Sequence, residues 1–371
     1  MERINVGVIG LGEVAQIIHL PILDALADRY RIAALCDVSP GLLAAMGQRY
    51  HVAPANRYTD AHELVAQEDL QAVFVLTSDE YHAESVIAAL QQGRHVLVEK
   101  PMCLTLPEAE AIIKARDAAG VHVVVAYMRR FAPAFAKTLE QVRRLDQITY
   151  VRVRDIIGRN RLIIDQAAEV LRVDDIPPAL TRNRAVRAER LVREAIGEAP
   201  ADLVGAYRLL CGLSSHDLSA MRELLGVPRR VVAASRWNGG RFLVAIFEYD
   251  GYHAVLETGV DEQLRFDAHI EVYGVTKSIR LQYDTPYIRH LPTTLVTTET
   301  VGEAFTQTVA RPTFKDPYTY ELAHFHDVVT GHGVPKTTPE DFMEDLRLFR
   351  RIIDALRVTG RGADTDEESH S

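Results

Sequence analysis

The chain has 371 residues, 47% hydrophobic and 25% charged, with 51 acidic against 42 basic side chains and a net charge of −9. That acidic balance argues against nucleic acid as a partner, and no apolar stretch reaches the roughly 18 residues of a membrane span. The length suggests two domains, and three widely spaced cysteines, Cys36, Cys103 and Cys211, fit a reduced, cytoplasmic protein. Ile4 to Ile9 (INVGVI) is a β-branched run that starts almost at Met1 and leaves no room for a signal peptide. Gly10-Leu11-Gly12-Glu13-Val14-Ala15 follows, a G-x-G-x-x-A pattern. Gly10 permits a tight turn, Gly12 lets backbone approach a pyrophosphate, and Ala15 keeps the next helix against the sheet. The helix Val14 to Leu26 would offer free N–H groups to the phosphates at Glu13 and Val14. A second strand, Ile32 to Cys36, ends in Asp37. An acid there accepts from a ribose 2′-hydroxyl and repels a 2′-phosphate. No arginine follows it closely, so NAD is expected over NADP.

Strands and helices alternate up to residue 127: Ala72 to Leu76, helix Ala83 to Gln91, strand His95 to Val98, helix Leu106 to Ala119, strand Val121 to Ala126. This is the pattern of a parallel sheet with crossover helices. The strand at His95 ends in Glu99-Lys100-Pro101. Proline turns the chain out of the sheet, and a lysine at a strand's carboxyl end sits at the ligand crevice, where it can exchange protons. Taken alone, Lys100 could equally be a lysine that happens to follow a strand.

After residue 145 the pattern becomes that of an antiparallel meander. Strands are expected at Ile148 to Asp155, Arg230 to Trp237, Arg241 to Tyr249, Tyr252 to Val260, Phe266 to Tyr273 and Lys277 to Tyr283. Asn238-Gly239 and Asp250-Gly251 read as hairpin turns. Thr338 caps a closing helix with Pro339 at its first position. The expected division is 1–127 for the nucleotide domain and 128–359 for a second domain. A helical insertion spans about 158–201, and 360–371 is a small, polar, disordered tail. The insertion reads as two helices around Pro177-Pro178. Its charge run is either a solvated helix face or a lid or subunit contact.

Together these motifs resemble the Gfo/Idh/MocA oxidoreductases, the family of glucose-fructose oxidoreductase and inositol dehydrogenase. The likeness covers nearly the whole chain, least so in 158–201. It implies an N-terminal Rossmann doubly wound parallel sheet, and a C-terminal α+β domain on an open, mainly antiparallel sheet flanked by helices. The family's T-P-N-x-x-H sequence stands here as Thr77-Ser78-Asp79-Glu80-Tyr81-His82, with threonine and histidine kept. Tyr127-Met128-Arg129-Arg130-Phe131-Ala132-Pro133 resembles the R-F-x-P crossing beside the nicotinamide. By resemblance the cofactor touches Gly10, Gly12, Glu13, Val14, Asp37, Thr77, Ser78, His82, Glu99, Lys100 and Arg130. The implied reaction is hydride transfer between nicotinamide and a sugar or cyclitol carbon, with Lys100 in the proton transfer and Tyr127 sharing its network. The implied state is a homodimer or homotetramer. No metal and no membrane are expected.

The chain departs from the family at its fourth motif. Dehydrogenase members carry Asp-x-x-x-His; here His216 is present but position 212 is Gly. Asp217 is adjacent but points about 100° away on a helix. Ser214 with Asp217 also reads as a capping box. His216 is a proton relay, a substrate hydrogen-bond partner, or a structural histidine. Tyr318, Tyr320 and His324 line a substrate pocket or simply pack. The alternative to an enzyme is a non-catalytic nucleotide sensor, which Gly212 favours and intact Glu99-Lys100-Pro101 disfavours.

Overall fold

A computed structural model describes residues 2–360. The expected tail lies outside the described residues, except Gly360, which ends the last helix. The chain forms two compact units. Among the described residues, the first comprises 2–128, Ala167–Ala195 and Tyr318–Met343; the second comprises Arg129–Gln166, Ile196–Pro317 and 344–360. A single linear boundary does not contain these returns.

In the first unit, β1 (Ile4–Ile9), β2 (Tyr30–Cys36), β3 (Arg57–Tyr58), β4 (Ala72–Val75), β5 (His95–Glu99) and β6 (Val123–Ala126) form one sheet. Its order is β3-β2-β1-β4-β5-β6, and every pair is parallel. All residues of β4 and β6 are buried, as helices on both faces of a parallel sheet require. Strand order reverses between β1 and β4, which puts the ligand crevice of such a sheet at their carboxyl ends. The helix Leu106–Ala119 starts with a capping box, Thr105 and Glu108, and stops at Gly120 in the left-handed conformation.

In the second unit, β7 (Ile148–Gly158) and β8 (Arg230–Trp237) are joined by β9 (Phe242–Glu248), β10 (His253–Asp261), β11 (Phe266–Gly274), β12 (Lys277–Tyr283), β13 (Thr294–Val301) and β14 (Ala304–Ala310). The order is β14-β13-β12-β11-β7-β10-β9-β8. The sheet is not a simple meander: β7 inserts between β11, antiparallel, and β10, parallel. The two hairpin turns form as expected, with Asn238, Gly239 and Gly251 at positive φ. The polar, threonine-rich pair β13–β14 lacks the apolar alternation that marks a strand.

Between the sheets in sequence, a helix covers Asn160–Ala167 and a second covers Pro178–Ile196. They flank an extended stretch rather than a tight turn, because Pro178 is itself the first helical residue. The closing helix begins at Pro339, and Asp341 N–H donates to the Thr338 hydroxyl, 3.3 Å away. No helix among the described residues is long and apolar enough to cross a membrane.

Candidate active site

The carboxyl ends of the parallel strands gather the motif residues of the first unit. Gly10 follows β1 at φ +95°, and a Cβ there would lie 2.7 Å from the carbonyl carbon of Leu76. Only glycine allows that close approach of β1 to β4. Gly12 is the opposite case: a Cβ would meet nothing within 4 Å. The loop therefore leaves open space where a phosphate would sit. Ala15 is buried, as tight helix–sheet packing requires. Its helix runs as a π-helical turn over Ala15–His19, a distortion often found at functional sites. Glu13 pairs with Arg172 at 3.0 Å, and Val14 is half-buried.

Asp37 follows β2 and accepts from Leu11 N–H at 2.7 Å and Ser39 N–H at 2.9 Å. Burial pushes its carboxyl up, against the pull of these two donors, and the charge of Asp175 adds to the rise. A carboxylate has about four acceptor positions, so capacity for a hydroxyl remains. Thr77 follows β4, and its buried Oγ1 has no hydrogen-bond partner among the described residues. Ser78 beside it is half-buried. His82 spans the next two strand ends: Nε2 lies 2.8 Å from Thr77 O and Nδ1 2.7 Å from Pro101 O. Its ring braces these two loops, and both nitrogens are engaged in doing so.

Lys100 follows β5, half-buried, and its peptide bond to Pro101 is cis. Glu99 is held from two sides. His19 Nε2–H donates to its Oε1 at 2.8 Å, and Lys100 N–H donates to its Oε2 at 3.1 Å. Burial pushes the Glu99 carboxyl up, but the His19 hydrogen bond and the charges of His19, Lys100 and His82 outweigh it, so the group sits below its ordinary range. Next to it Glu321 is wholly buried, and neither of its oxygens has a hydrogen-bond partner among the described residues. Burial, and then the charge of Glu99, push Glu321 well up, which makes it a neutral acid. His19 packs edge-on against Phe74 and Tyr318, at 6.1 and 5.8 Å. Tyr127, after β6, is buried and stacks on Phe342 at 6.3 Å.

The second unit carries the remaining expected residues. Arg129 is buried with its Nη1 donating to Asp155 Oδ2 at 3.1 Å and Asp217 Oδ1 at 2.5 Å. Its guanidinium lies over the rings of Tyr283 and Phe266, at 4.9 and 5.6 Å. Burial and the charge of Asp155 push the Asp217 carboxyl well up, although Arg129 pulls the other way. A proton on Asp217, which that rise favours, would leave one carboxylate charge to balance the arginine. The expected capping box is absent. Ser214 lies inside a continuous helical path, in the π-helical turn Leu210–Ser214, and its hydroxyl meets that of Thr258 at 2.9 Å. Asp217 serves Arg129 instead. His216 is buried on the same helix. Gly212 sits in the π turn with open space where its Cβ would be. Arg130 is buried and donates to Glu223 at 2.5 Å. Lys100 and His216 thus belong to different units.

Asp155, Glu321 and His19 carry no sequence motif. The one visible signal is at β7, where Asp155 falls in phase with buried Val151, Val153 and Ile157. A charged residue on the inward face of a strand needs a partner. Tyr318 is buried against His19, while Tyr320 and His324 are half-buried on the same helix.

The comparisons with known proteins agree with this geometry. Residues 4–127 match the Gfo/Idh/MocA family, described as "Oxidoreductase family, NAD-binding Rossmann fold". The 1,5-anhydro-D-fructose reductase of Ensifer adhaerens is 27% identical over 83% of this chain and 84% of its own length. Inositol 2-dehydrogenase 2 of Saccharopolyspora erythraea is 29% identical over 86% of this chain and 83% of its own. The aldose-aldose oxidoreductase from Caulobacter crescentus, crystallised with glycerol, superposes with a TM-score of 0.74 at 20% identity. That likeness covers 96% of this chain and 98% of the other, and speaks for the fold. The class is that of a nicotinamide-dependent dehydrogenase or reductase with an NAD-binding Rossmann unit. Within it, residues 4–127 carry the NAD-binding unit of the Gfo/Idh/MocA oxidoreductase family, and the relatives similar over most of the chain are named as a reductase and a dehydrogenase.

Proposed function

We propose that the protein transfers a hydride between NAD and a secondary hydroxyl or ketone carbon of a sugar, sugar derivative or cyclitol. The observation that carries this is Lys100, set after β5 on the same strand-end edge as the open Gly12 loop, Asp37 and the Thr77 hydroxyl, which has no hydrogen-bond partner among the described residues. These features fit a dinucleotide. Gly12 would receive the pyrophosphate, Thr77 and Ser78 would flank it, and Asp37 would accept from the ribose. Bound nicotinamide supplies the hydride acceptor or donor. Lys100 holds the reacting oxygen and moves its proton. Glu99, spent on His19 and on the Lys100 N–H, fixes the lysine's backbone rather than taking a proton itself. In this reading Tyr127 shares the proton network, and His216 is a relay or substrate hydrogen-bond partner. Arg130, paired with Glu223, keeps a cofactor role only through the likeness of its motif.

The chemistry of the relatives supports a polyhydroxylated substrate, since one is named for an anhydrofructose and another for inositol. A homodimer or homotetramer belongs to the same reading. Exposed Phe305 and Val309 on edge strand β14 suit a subunit contact. A second reading, a nucleotide sensor without turnover, is favoured by Gly212 alone. Following NADH absorbance with a panel of sugars and cyclitols separates the two. Turnover that Lys100→Ala abolishes supports the enzyme. NADH binding without turnover on any substrate in the panel supports the sensor.

A further inference from the structure

The stretch from Leu171 to Arg187 belongs to the first unit and crosses the ends of three neighbouring strands. Over β1, the Gln16 side chain clasps the Leu171 backbone through both its amide groups, at 3.1 and 2.9 Å, and Arg172 meets Glu13. Over β4, Tyr81 O–H donates to Asn183 at 2.9 Å. Arg184 pairs with Glu80 at 2.6 Å and Arg187 with Glu84 at 2.5 Å. The more exposed of these ion pairs are individually weak, but several act along one strap, and the Glu80 carboxylate held by Arg184 is buried. Over β2, Asp175 does something more specific. Its Oδ1 accepts from the Ser39 hydroxyl at 2.5 Å and its Oδ2 from Gly41 N–H at 2.7 Å. The fit is close: a Cβ on Gly41 would lie 2.9 Å from both Asp175 Oδ2 and Val173 Cγ1.

Ser39 and Gly41 stand at the start of the helix Pro40–Arg49, directly after Asp37. In a dinucleotide site of this topology, the acid after β2 meets the ribose 2′-hydroxyl. A 2′-phosphate grows from that same oxygen. The nearest donors able to receive it are the Ser39 hydroxyl and the N–H groups at the helix start, where an anion is also favoured by the helix dipole. Those two donors already hold a carboxylate.

We infer that Asp175, carried by the strap, is a second selector against NADP: it occupies the donors a 2′-phosphate needs and places a negative charge beside Asp37. This rests on the nucleotide site read above and deepens it. Two carboxylates from distant segments converge on one point, and either alone would disfavour a phosphate. The strap also explains how the chain omits arginine after Asp37 yet keeps the helix start occupied by an anion. The donors keep Asp175 ionised, since the Ser39 hydroxyl and the Gly41 N–H both pull its carboxyl down.

The test is a pair of titrations, NADH and NADPH by fluorescence, on the full-length protein and on three variants. Asp175→Asn removes the charge and keeps an acceptor for only one of the two donors, Ser39 O–H or Gly41 N–H. Asp175→Ala removes both the charge and the acceptor, and Asp175→Lys reverses the sign. The ratio of the NADPH to the NADH dissociation constant should fall in that order, by about tenfold for alanine, a change of 1.4 kcal/mol. A ratio unchanged across the series, with NADH still bound, overturns the inference and leaves the nucleotide site standing. Wild-type protein that binds neither nucleotide overturns the site itself, and the inference with it.

Discussion

The two units use buried charge in opposite ways. At the strand ends of the first unit space is left: a Cβ on Gly12 would meet nothing within 4 Å, buried Thr77 Oγ1 has no hydrogen-bond partner among the described residues, and Lys100 is half-buried. In the second unit, Arg129, Asp155 and Asp217 close on one another beneath Tyr283 and Phe266, and Arg129 and its two carboxylates are almost wholly removed from water. The first arrangement is incomplete without a ligand. The second binds its arginine to two carboxyl groups of the same unit, one of them on the helix that bears His216. Buried charge by itself therefore does not mark a site.

The sharpest way to break this contrast is at Lys100. Lys100→Ala should lower kcat about a thousandfold, the scale of a lost proton-transfer group, with nucleotide affinity within a few-fold. Steady-state kinetics beside NADH titration checks this; retained turnover would remove the open edge from the chemistry. The closed cluster should fail differently. Arg129→Met leaves a carboxylate buried without its cation and should cost on the order of 3 kcal/mol in urea unfolding. Asp217→Asn should cost less than about 1 kcal/mol, because burial and the charge of Asp155 push that carboxyl well up and favour its neutral form. Equal losses in the two variants would contradict the shared-proton arrangement.

Glu321 gives a smaller effect with a definite sign. Its native pKa is raised by burial and by Glu99, so the native state holds a proton that the unfolded chain releases near its ordinary value. Wild-type stability should therefore decline as pH rises above that ordinary value, and Glu321→Gln should remove the decline. The melting temperature of the variant relative to wild type should climb from pH 5 to pH 8; a constant difference would mean Glu321 is ionised. His95 works from the other side of the scale. Burial, then neighbouring His122, hold it down at about 4 against an ordinary 6.5. Its contribution is whole above about pH 6.5 and is lost as pH falls toward 4. His95→Gln should flatten that acid limb, as melting curves across the interval would report.

The contrast also explains what could be read from the chain. Gly10, Gly12, Asp37, Thr77 and Glu99-Lys100-Pro101 each sit within a few residues of a strand end. Strand period and turn chemistry are local, so these positions were legible. Arg129, Asp155 and Asp217 come from three elements far apart in sequence, and only β7 lying beside β11 and β10 makes their neighbourhood intelligible. The Ser214 to Asp217 spacing imitated a capping box because the π turn carries the helix through Ser214 without a break, which no local pattern announces. The strands β13 and β14 were hidden by threonines that pair well in a sheet but give no apolar period. Asp175 was hidden in the same way: its partners, Ser39 and Gly41, lie more than 130 residues away.

The most direct measurement is at Gly12. Because nothing lies within 4 Å of where its Cβ would be, Gly12→Val should fold as the wild type does. The side chain would grow from that open position toward the space assigned to the cofactor. With NADH at about a hundred times its dissociation constant, the wild type should gain roughly 2.7 kcal/mol and melt higher. The variant should melt at the wild-type temperature without NADH and show no such gain with it. A variant that gains as much as the wild type, or a wild type that gains nothing, would contradict the claim that this edge of the sheet holds the nucleotide.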